Sequence, residues 1–271
     1  MCPHCRAFIT TRDRICPYCE TEVGPRAADR KPAAEVLAGW IPHARFTTTI
    51  LLLVNFGLYA AMALASARAG NPDLWTIDGR TLFDFGAKHR EAILLGQWWR
   101  LITAGFLHGG LLHILMNSWV LFDLGALVEQ TYGAARLIVI YFSGTAAGFL
   151  ASMFWYAGLS VGASAGIFGL IGAMIALGVR ERSAFGAALR AFYIRWAVYG
   201  LILGLLPGLR VDNAAHLGGL AAGFAAGYLA GLPGAAGSAR ERFWLAAAVS
   251  AILLTALSFL RMYLWLVRSS L

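Results

Sequence analysis

Apolar residues run through most of this chain in blocks of about 17 to 25. A helix rising about 1.5 Å per residue needs about that length to cross about 30 Å of hydrocarbon. Seven blocks are read, at about 46–66, 112–129, 135–157, 164–180, 191–206, 213–231 and 242–267, with Gly and Pro at or between their ends. The fourth block makes only about 25 Å of helix, so its start lies below the membrane surface and residues 158–163 must dip inward to meet it. Irregular backbone at that depth is tolerated only where it packs in protein or lines a wet cavity. Between the first two blocks lie about 45 residues in which Trp75, Phe83, Phe85, Trp98 and Trp99 are mixed with charges. Such a segment belongs in the membrane interface, and 91–97 reads as short amphipathic helix there.

Composition agrees with the pattern. The 271 residues are 59% hydrophobic and 13% charged, against roughly 25% charged in a soluble domain, so one soluble core cannot hide this apolar surface. The fold class expected is therefore all-α and polytopic. The net charge of +8 does not point to nucleic acid, because the Lys and Arg residues form no long stripe with interleaved aromatics. They sit in short connections beside apolar blocks, where anionic lipid and topology explain them. Arg136, the group Arg180, Arg182, Arg190 and Arg195, and the pair Arg240 and Arg242 fall on one side together with the amino terminus. The positive-inside rule makes that side cytosolic.

The first 45 residues are different. Cys2, Cys5, Cys16 and Cys19 form two Cys-x-x-Cys knuckles and use every cysteine in the chain. That spacing presents four thiolates to one tetrahedral Zn²⁺, with no open position for water, so the expected metal is structural. Disulfides are the competing reading, but a start with neither a signal peptide nor a transit segment places this end in a reducing compartment. A Pro- and Ala-rich linker with Arg26, Arg30 and Lys31 leads to Pro42 and the first block. The organisation read here is a metal module over 1–24, a linker over 25–45, a six-helix core over 46–231, and a linker with a seventh helix over 232–271.

The fourth block opens with Gly162, Ser164 and Gly166 in the order Gly-x-Ser-x-Gly. Small polar residues in membrane helices commonly let helices approach, and the same spelling marks many hydrolase nucleophiles. Parity separates the two. With the amino terminus inside, even-numbered helices begin at the outer face, so Ser164, His216 at the start of the sixth, and His113 and Asn117 at the start of the second can meet at one depth. A neutral imidazole can take the serine proton, which makes Ser164 and His216 a two-residue hydrolase unit needing no cofactor. The free N–H groups of the fourth helix favour negative charge beside Ser164. His113 and Asn117, four residues apart, can donate to an oxyanion or serve as interhelical glue. His108 reads as a buried structural histidine, and Phe168 as a ring one turn below Ser164, beside the base. Asp212, four residues before His216, could orient that imidazole, face solvent or cap the sixth helix, and the dyad reading does not require it; Asp123 and Asn55 are intramembrane polar residues with no role assigned.

These residues resemble the rhomboid family of intramembrane serine proteases. The resemblance rests on Trp99-Arg100, on His108-x4-His113-x3-Asn117, on Gly125, Glu129 and Gly133, on Gly162-Ala-Ser164, and on Ala215-His216-x-x-Gly219-x-x-x-Gly223. It implies Ser164 as nucleophile, His216 as base, His113, Asn117 and the Ser164 backbone as oxyanion donors, and His108 in support. It also implies six core helices, to which this chain adds a seventh, and a substrate that is a transmembrane protein reaching the site between the second and fifth helices, under the 207–213 loop. Where many members have Gly after the serine and Tyr four residues after it, this chain has Ala165 and Phe168. The expected setting is a bacterial inner membrane with the site opening to the outer face, and the metal module is free to meet a cytosolic partner. A noncatalytic rhomboid-like membrane binder or trafficking factor is the alternative; a channel using His113, Asn117 and His216 as a polar path would leave the Gly-x-Ser motif unexplained.

Overall fold

The computed structural model describes residues 2, 4–9, 15–22, 45–71, 73, 75–206, 211–235 and 237–269. The linker residues 26, 30, 31 and 42 and most of the 207–213 loop lie outside these. The chain divides into two units, Met1–His43 and Ala44–Leu271. Among the described residues the second unit is helical, with only isolated bridges as extended pairing.

Seven long helices build it: α1 (Phe46–Arg68), α2 (Leu111–Tyr132), α3 (Ala134–Trp155), α4 (Ser164–Arg180), α5 (Ala184–Leu203), α6 (Asn213–Ala230) and α7 (Ala239–Ser269). Helices α1, α2, α3 and α7 are long and apolar enough to cross a membrane, while α4 is a shorter apolar helix. Helix α2 passes through a π-helical turn, Leu121–Gly125, which carries Asp123 exposed on its surface. Three short helices, Gly79–Asp84, Arg90–Leu94 and Arg100–Thr103, occupy the aromatic connection after α1.

The start of α1 has no capping side chain of its own. Glu129 of α2 supplies one, its carboxylate accepting from the N–H groups of Thr47 (2.9 Å) and Thr48 (3.0 Å) and from the Thr48 hydroxyl (2.8 Å). A buried carboxylate at a helix amino terminus satisfies free donors and meets the positive end of the helix dipole.

Helix α4 is the centre, buried along most of its length, and α3, α5 and α6 pack against it. The sixth helix reaches it through glycine: a Cβ at Gly223 would lie 2.0 Å from the Gly169 carbonyl oxygen, and one at Gly172 would lie 2.2 Å from the Leu220 oxygen. Small residues let the two backbones touch, the usual device for helix association in lipid. Helix α7 docks at one end through a two-pronged ion pair, both Arg136 nitrogens reaching Glu241 at 2.7 Å.

One helix differs from its expected extent. Helix α5 starts at Ala184, seven residues before the apolar block begins. Ser183 is its N-cap and accepts from the Gly186 N–H (3.1 Å). Arg190 and Arg195 therefore ride on the exposed face of a helix instead of lying in a loop. A cap sets a helix start, and hydropathy does not register it.

Candidate active site

The backbone leading to Ser164 is held from outside its own helix. Lys88 and Ser160 exchange backbone hydrogen bonds (2.9 and 3.2 Å), and the Gly162 N–H donates to the Ala104 oxygen (2.9 Å). The fully buried Lys88 ammonium donates to the carbonyls of Tyr156 and Gly158, the latter at 2.9 Å. Burial pushes the Lys88 pKa down, and Asp212 opposes that shift. These ties satisfy the irregular segment's polar backbone, as a dipping loop requires.

Gly162 adopts φ +136, a region that side chains rarely enter. A Cβ there would stand 2.8 Å from His113 Nε2 and 3.4 Å from Ser164 Oγ. The serine hydroxyl and the His113 ring thus border the same small space, which a glycine keeps open. Ser164 is half-buried and begins α4, whose first N–H groups lack helical partners.

His216 comes from the first turn of α6. Asp212 caps that helix, accepting from the Ala215 N–H (3.0 Å), and its other oxygen accepts from the Ser152 hydroxyl. Both carboxylate oxygens are engaged in fixing the start of α6. The His216 ring stacks on Phe168, with centroids 4.1 Å apart and planes 9° from parallel. Ser164 and Phe168 are four residues apart on α4, so the helix that presents the hydroxyl also presents the face on which the imidazole lies. Among the described residues no hydrogen bond joins Ser164 to His216. Catalytic pairs in substrate-free hydrolases are commonly longer than in the reacting complex.

His108 is fully buried, and its ring meets His113 edge-on at 5.1 Å and 69°. Asn117, one turn beyond His113, is buried, and its Nδ2 has no hydrogen-bond partner. A buried amide without an acceptor is costly in a finished core, and it leaves a donor free for a group that arrives later.

The loop carrying Lys88 is stabilised by Arg100. That guanidinium donates to the carbonyls of Phe83 (2.6 Å) and Ala87 (2.9 Å) and to Gln97 Oε1 (2.7 Å). It lies over the rings of Phe83, Trp99 and Trp265 at 4.0, 4.6 and 5.1 Å. Burial pushes the Arg100 pKa down to about 10, against the pull of Asp84. Lys88, Ser152 and Trp265 went unidentified in the sequence. The available signal for Lys88 was a lysine placed among aromatic residues of an interfacial loop; its acceptors are backbone carbonyls about 70 residues away.

In the amino-terminal unit the four cysteines lie together, with all sulfurs within 4.8 Å of one another. The pairs Cys2–Cys19 and Cys5–Cys16 are each 3.6 Å apart. Around a tetrahedral Zn²⁺ with Zn–S of about 2.3 Å, sulfurs would stand about 3.8 Å apart, so the set fits. The knuckles repeat one geometry. Arg6 and Glu20 follow the second cysteine of each at φ 57 and 56, and their N–H groups return to the carbonyls of Cys2 and Cys16.

Residues 95–233, just over half of the chain, match the Rhomboid domain model. The chain is 36% identical over 178 residues to rhomboid protease GluP of Bacillus subtilis, a match covering 66% of this chain and 34% of that protein. It is 32% identical over 191 residues to Rhomboid-like protease 2 of Toxoplasma gondii, covering 67% and 64%. It is 37% identical over 208 residues to RHOMBOID-like protein 5 of Arabidopsis thaliana, covering 68% and 67%. The chain thus spans about a third of the Bacillus protein's length and under two thirds of the Toxoplasma protein's.

Proposed function

The chain belongs to the rhomboid family and is an integral membrane protein, and from that premise we propose that it is an intramembrane serine endopeptidase working through a Ser164–His216 dyad. One observation carries the reading: Ser164 Oγ and His113 Nε2 border a single space beside Gly162, while the His216 imidazole is stacked on Phe168 one turn away on the same helix.

The substrate is a transmembrane segment whose backbone is locally extended or easily unwound, because a helical peptide bond hides its carbonyl carbon. Ser164 Oγ attacks that carbon as His216 takes the hydroxyl proton. Charge develops on the carbonyl oxygen, where the Ser164 N–H, the Asn117 amide and the His113 ring donate. Each such donor is worth about 3 kcal/mol of barrier where one has been removed from a hydrolase. The His216 imidazolium then protonates the leaving amine, the C–N bond breaks, and an acyl ester remains on Ser164. Water, deprotonated by His216, hydrolyses it. The unpaired Asn117 donor supports this assignment, as does the engagement of Asp212 elsewhere, which leaves a dyad and not a triad. Substrate arrives between α2 and α5. The arginine distribution supports an amino terminus on the cytosolic side and a site facing out, in a membrane that we take to be a bacterial inner membrane.

Reaction of the purified protein with a fluorophosphonate tests the dyad. Labelling is expected in the parent and lost in Ser164→Ala and His216→Ala, each by more than about 1,000-fold in rate. A correctly folded parent that never labels would overturn the reading in favour of a membrane binder.

For the amino-terminal unit, Cys2, Cys5, Cys16 and Cys19 hold one structural zinc, which fastens the two knuckles and gives a cytosolic partner or substrate tail a rigid surface to meet. Elemental analysis is expected to find one zinc per chain; four free thiols with no metal would refute it.

A further inference from the structure

At the Ser164 end of the bundle, α7 and the aromatic loop border an open cavity of about 210 Å³ lined by Trp99, Arg261, Leu264, Trp265 and Arg268. We infer that this cavity binds the phosphate head group of an anionic phospholipid in the leaflet on the Ser164 side. The inference is independent of the proposed catalysis.

Depth comes first. Helix α7 has 31 residues and so runs about 46 Å, well beyond about 30 Å of hydrocarbon. Arg242 and Arg261 lie 19 residues apart along it, about 28 Å, so the two guanidinium-bearing positions bracket one hydrocarbon thickness. The turns from Arg261 to Arg268 therefore run through the head-group layer. Trp99 and Trp265, in contact at 6.0 Å, mark the same level, where indoles concentrate at membrane surfaces.

Charge comes second. Arg261 and Arg268 are seven residues apart, two turns, and so project from one face of α7. Both are exposed, and among the described residues neither meets a carboxylate within 4 Å. Several other arginines near the two ends of the bundle are engaged, which Arg261 and Arg268 are not in the same way: Arg136 pairs with Glu241, Arg100 is boxed by rings, and Arg180 and Arg240 donate to the carbonyls of Tyr228 and Ala230. Two unpaired guanidiniums over a floor of indole and leucine complement a head group whose phosphate accepts two N–H pairs and whose glycerol and upper acyl carbons are apolar. A zwitterionic head group would bring its own ammonium against them, so the net-negative class is favoured. The position also gives occupancy a consequence, since Trp265 closes the ring box around Arg100, and Arg100 holds the carbonyl of Ala87 beside Lys88.

Native mass spectrometry of the detergent-purified full chain, titrated with phosphatidylglycerol, phosphatidylcholine or inorganic phosphate, tests the site. The parent is expected to retain one tightly held phosphatidylglycerol that phosphatidylcholine does not replace and millimolar phosphate does not displace. In Arg261→Gln/Arg268→Gln its affinity should fall about 30-fold, which at about 1.4 kcal/mol per decade is about 2 kcal/mol for the pair. Arg182→Gln/Arg190→Gln, which changes exposed arginines toward the other end, should leave that lipid in place. Equal retention by parent and the first double variant would overturn the proposal, as would equal retention of phosphatidylcholine. Displacement by phosphate alone would reassign the cavity to a free anion. Fluorophosphonate labelling and thermal unfolding of the same samples report whether the variant is folded.

Discussion

Two of the helices that pack against α4 do so in different ways. Helix α6, which carries His216, meets it backbone to backbone: virtual Cβ atoms at Gly219 and Gly223 fall 2.2 Å from the Ala165 oxygen and 2.0 Å from the Gly169 oxygen. Helix α5 comes this near backbone to backbone where it leaves the α4–α5 turn, where a Cβ at Gly178 would stand 2.7 Å from the Gly186 oxygen, and further along it meets the Phe168 side chain at Gly200. Beyond that turn its buried residues are Tyr193 and Ala197 alone, while Trp196, Tyr199, Ile202 and Leu203 face outward. One neighbour is locked backbone to backbone along its length, and the other, beyond its first turn, rests on side chains. A nucleophile and its base need fixed relative positions, since small displacements cost large factors in rate. A transmembrane substrate needs a wall that can move. The molecule assigns the two requirements to different helices.

The sharpest way to break this contrast is to add one methyl to the locked pair. Gly223→Ala has no flexible side chain to displace, because the obstacle is the Gly169 backbone. Overpacking of this kind costs about 3 kcal/mol, and by forcing α6 off α4 it should cut the fluorophosphonate labelling rate at least about 100-fold. Gly57→Ala on α1, where a Cβ would meet nothing within 4 Å, should leave labelling unchanged and raise stability by up to about 1 kcal/mol. Thermal unfolding in detergent and labelling rates measured together check both. If Gly223→Ala labels like the parent, the α4–α6 contact is not what fixes the dyad.

A smaller effect is expected at the point where the two regimes meet. Phe168 lies between the His216 ring and α5, its Cζ 2.7 Å from a virtual Cβ on Gly200. Phe168→Ala removes the stack, worth about 1 kcal/mol for an aromatic pair, and the labelling rate should drop roughly 5-fold. Phe168→Tyr keeps the ring and should stay within about 3-fold of the parent. Equal losses in the two variants would show that the site senses volume against α5 and not the stack.

How far these features were legible depends on whether a signal is local. The extent of α4 was readable because its apolar run, its glycines and Ser164 fall within 17 residues. The rhomboid spacing brought forward His113, Asn117 and His216, each near a helix start. The start of α5 was not readable from hydropathy, since Arg190 and Arg195 interrupt the apolar run while Ser183 sets the boundary. The ties that place the Ser164 loop were less visible still. Lys88 acts through the carbonyls of Tyr156 and Gly158, Glu129 caps a helix about 80 residues earlier, and Arg100 is boxed by a ring from α7. Backbone acceptors leave no residue type in the sequence to match, so a polar residue's reason for being there is invisible until the fold supplies its partner.

The finest test concerns the free end of α5. Among the described residues one side-chain hydrogen bond reaches its last turn, Asn213 Nδ2 donating to the Leu201 carbonyl at 3.0 Å, and the same side chain fills the space beside Gly204. A neutral hydrogen bond of this kind contributes about 1 kcal/mol, so Asn213→Ala should lower thermal stability only slightly while weakening a tie between α5 and the start of α6. If outward movement of α5 limits access, cleavage of a transmembrane substrate should rise by up to about 5-fold, the Boltzmann factor of that bond. Labelling by the small fluorophosphonate, which needs no such opening, should change less than about 2-fold. The comparison of the two rates in one variant is what discriminates. A parallel fall in both would mean that Asn213 supports the geometry around His216, and α5 would then belong with α6 among the fixed elements and not with the movable wall.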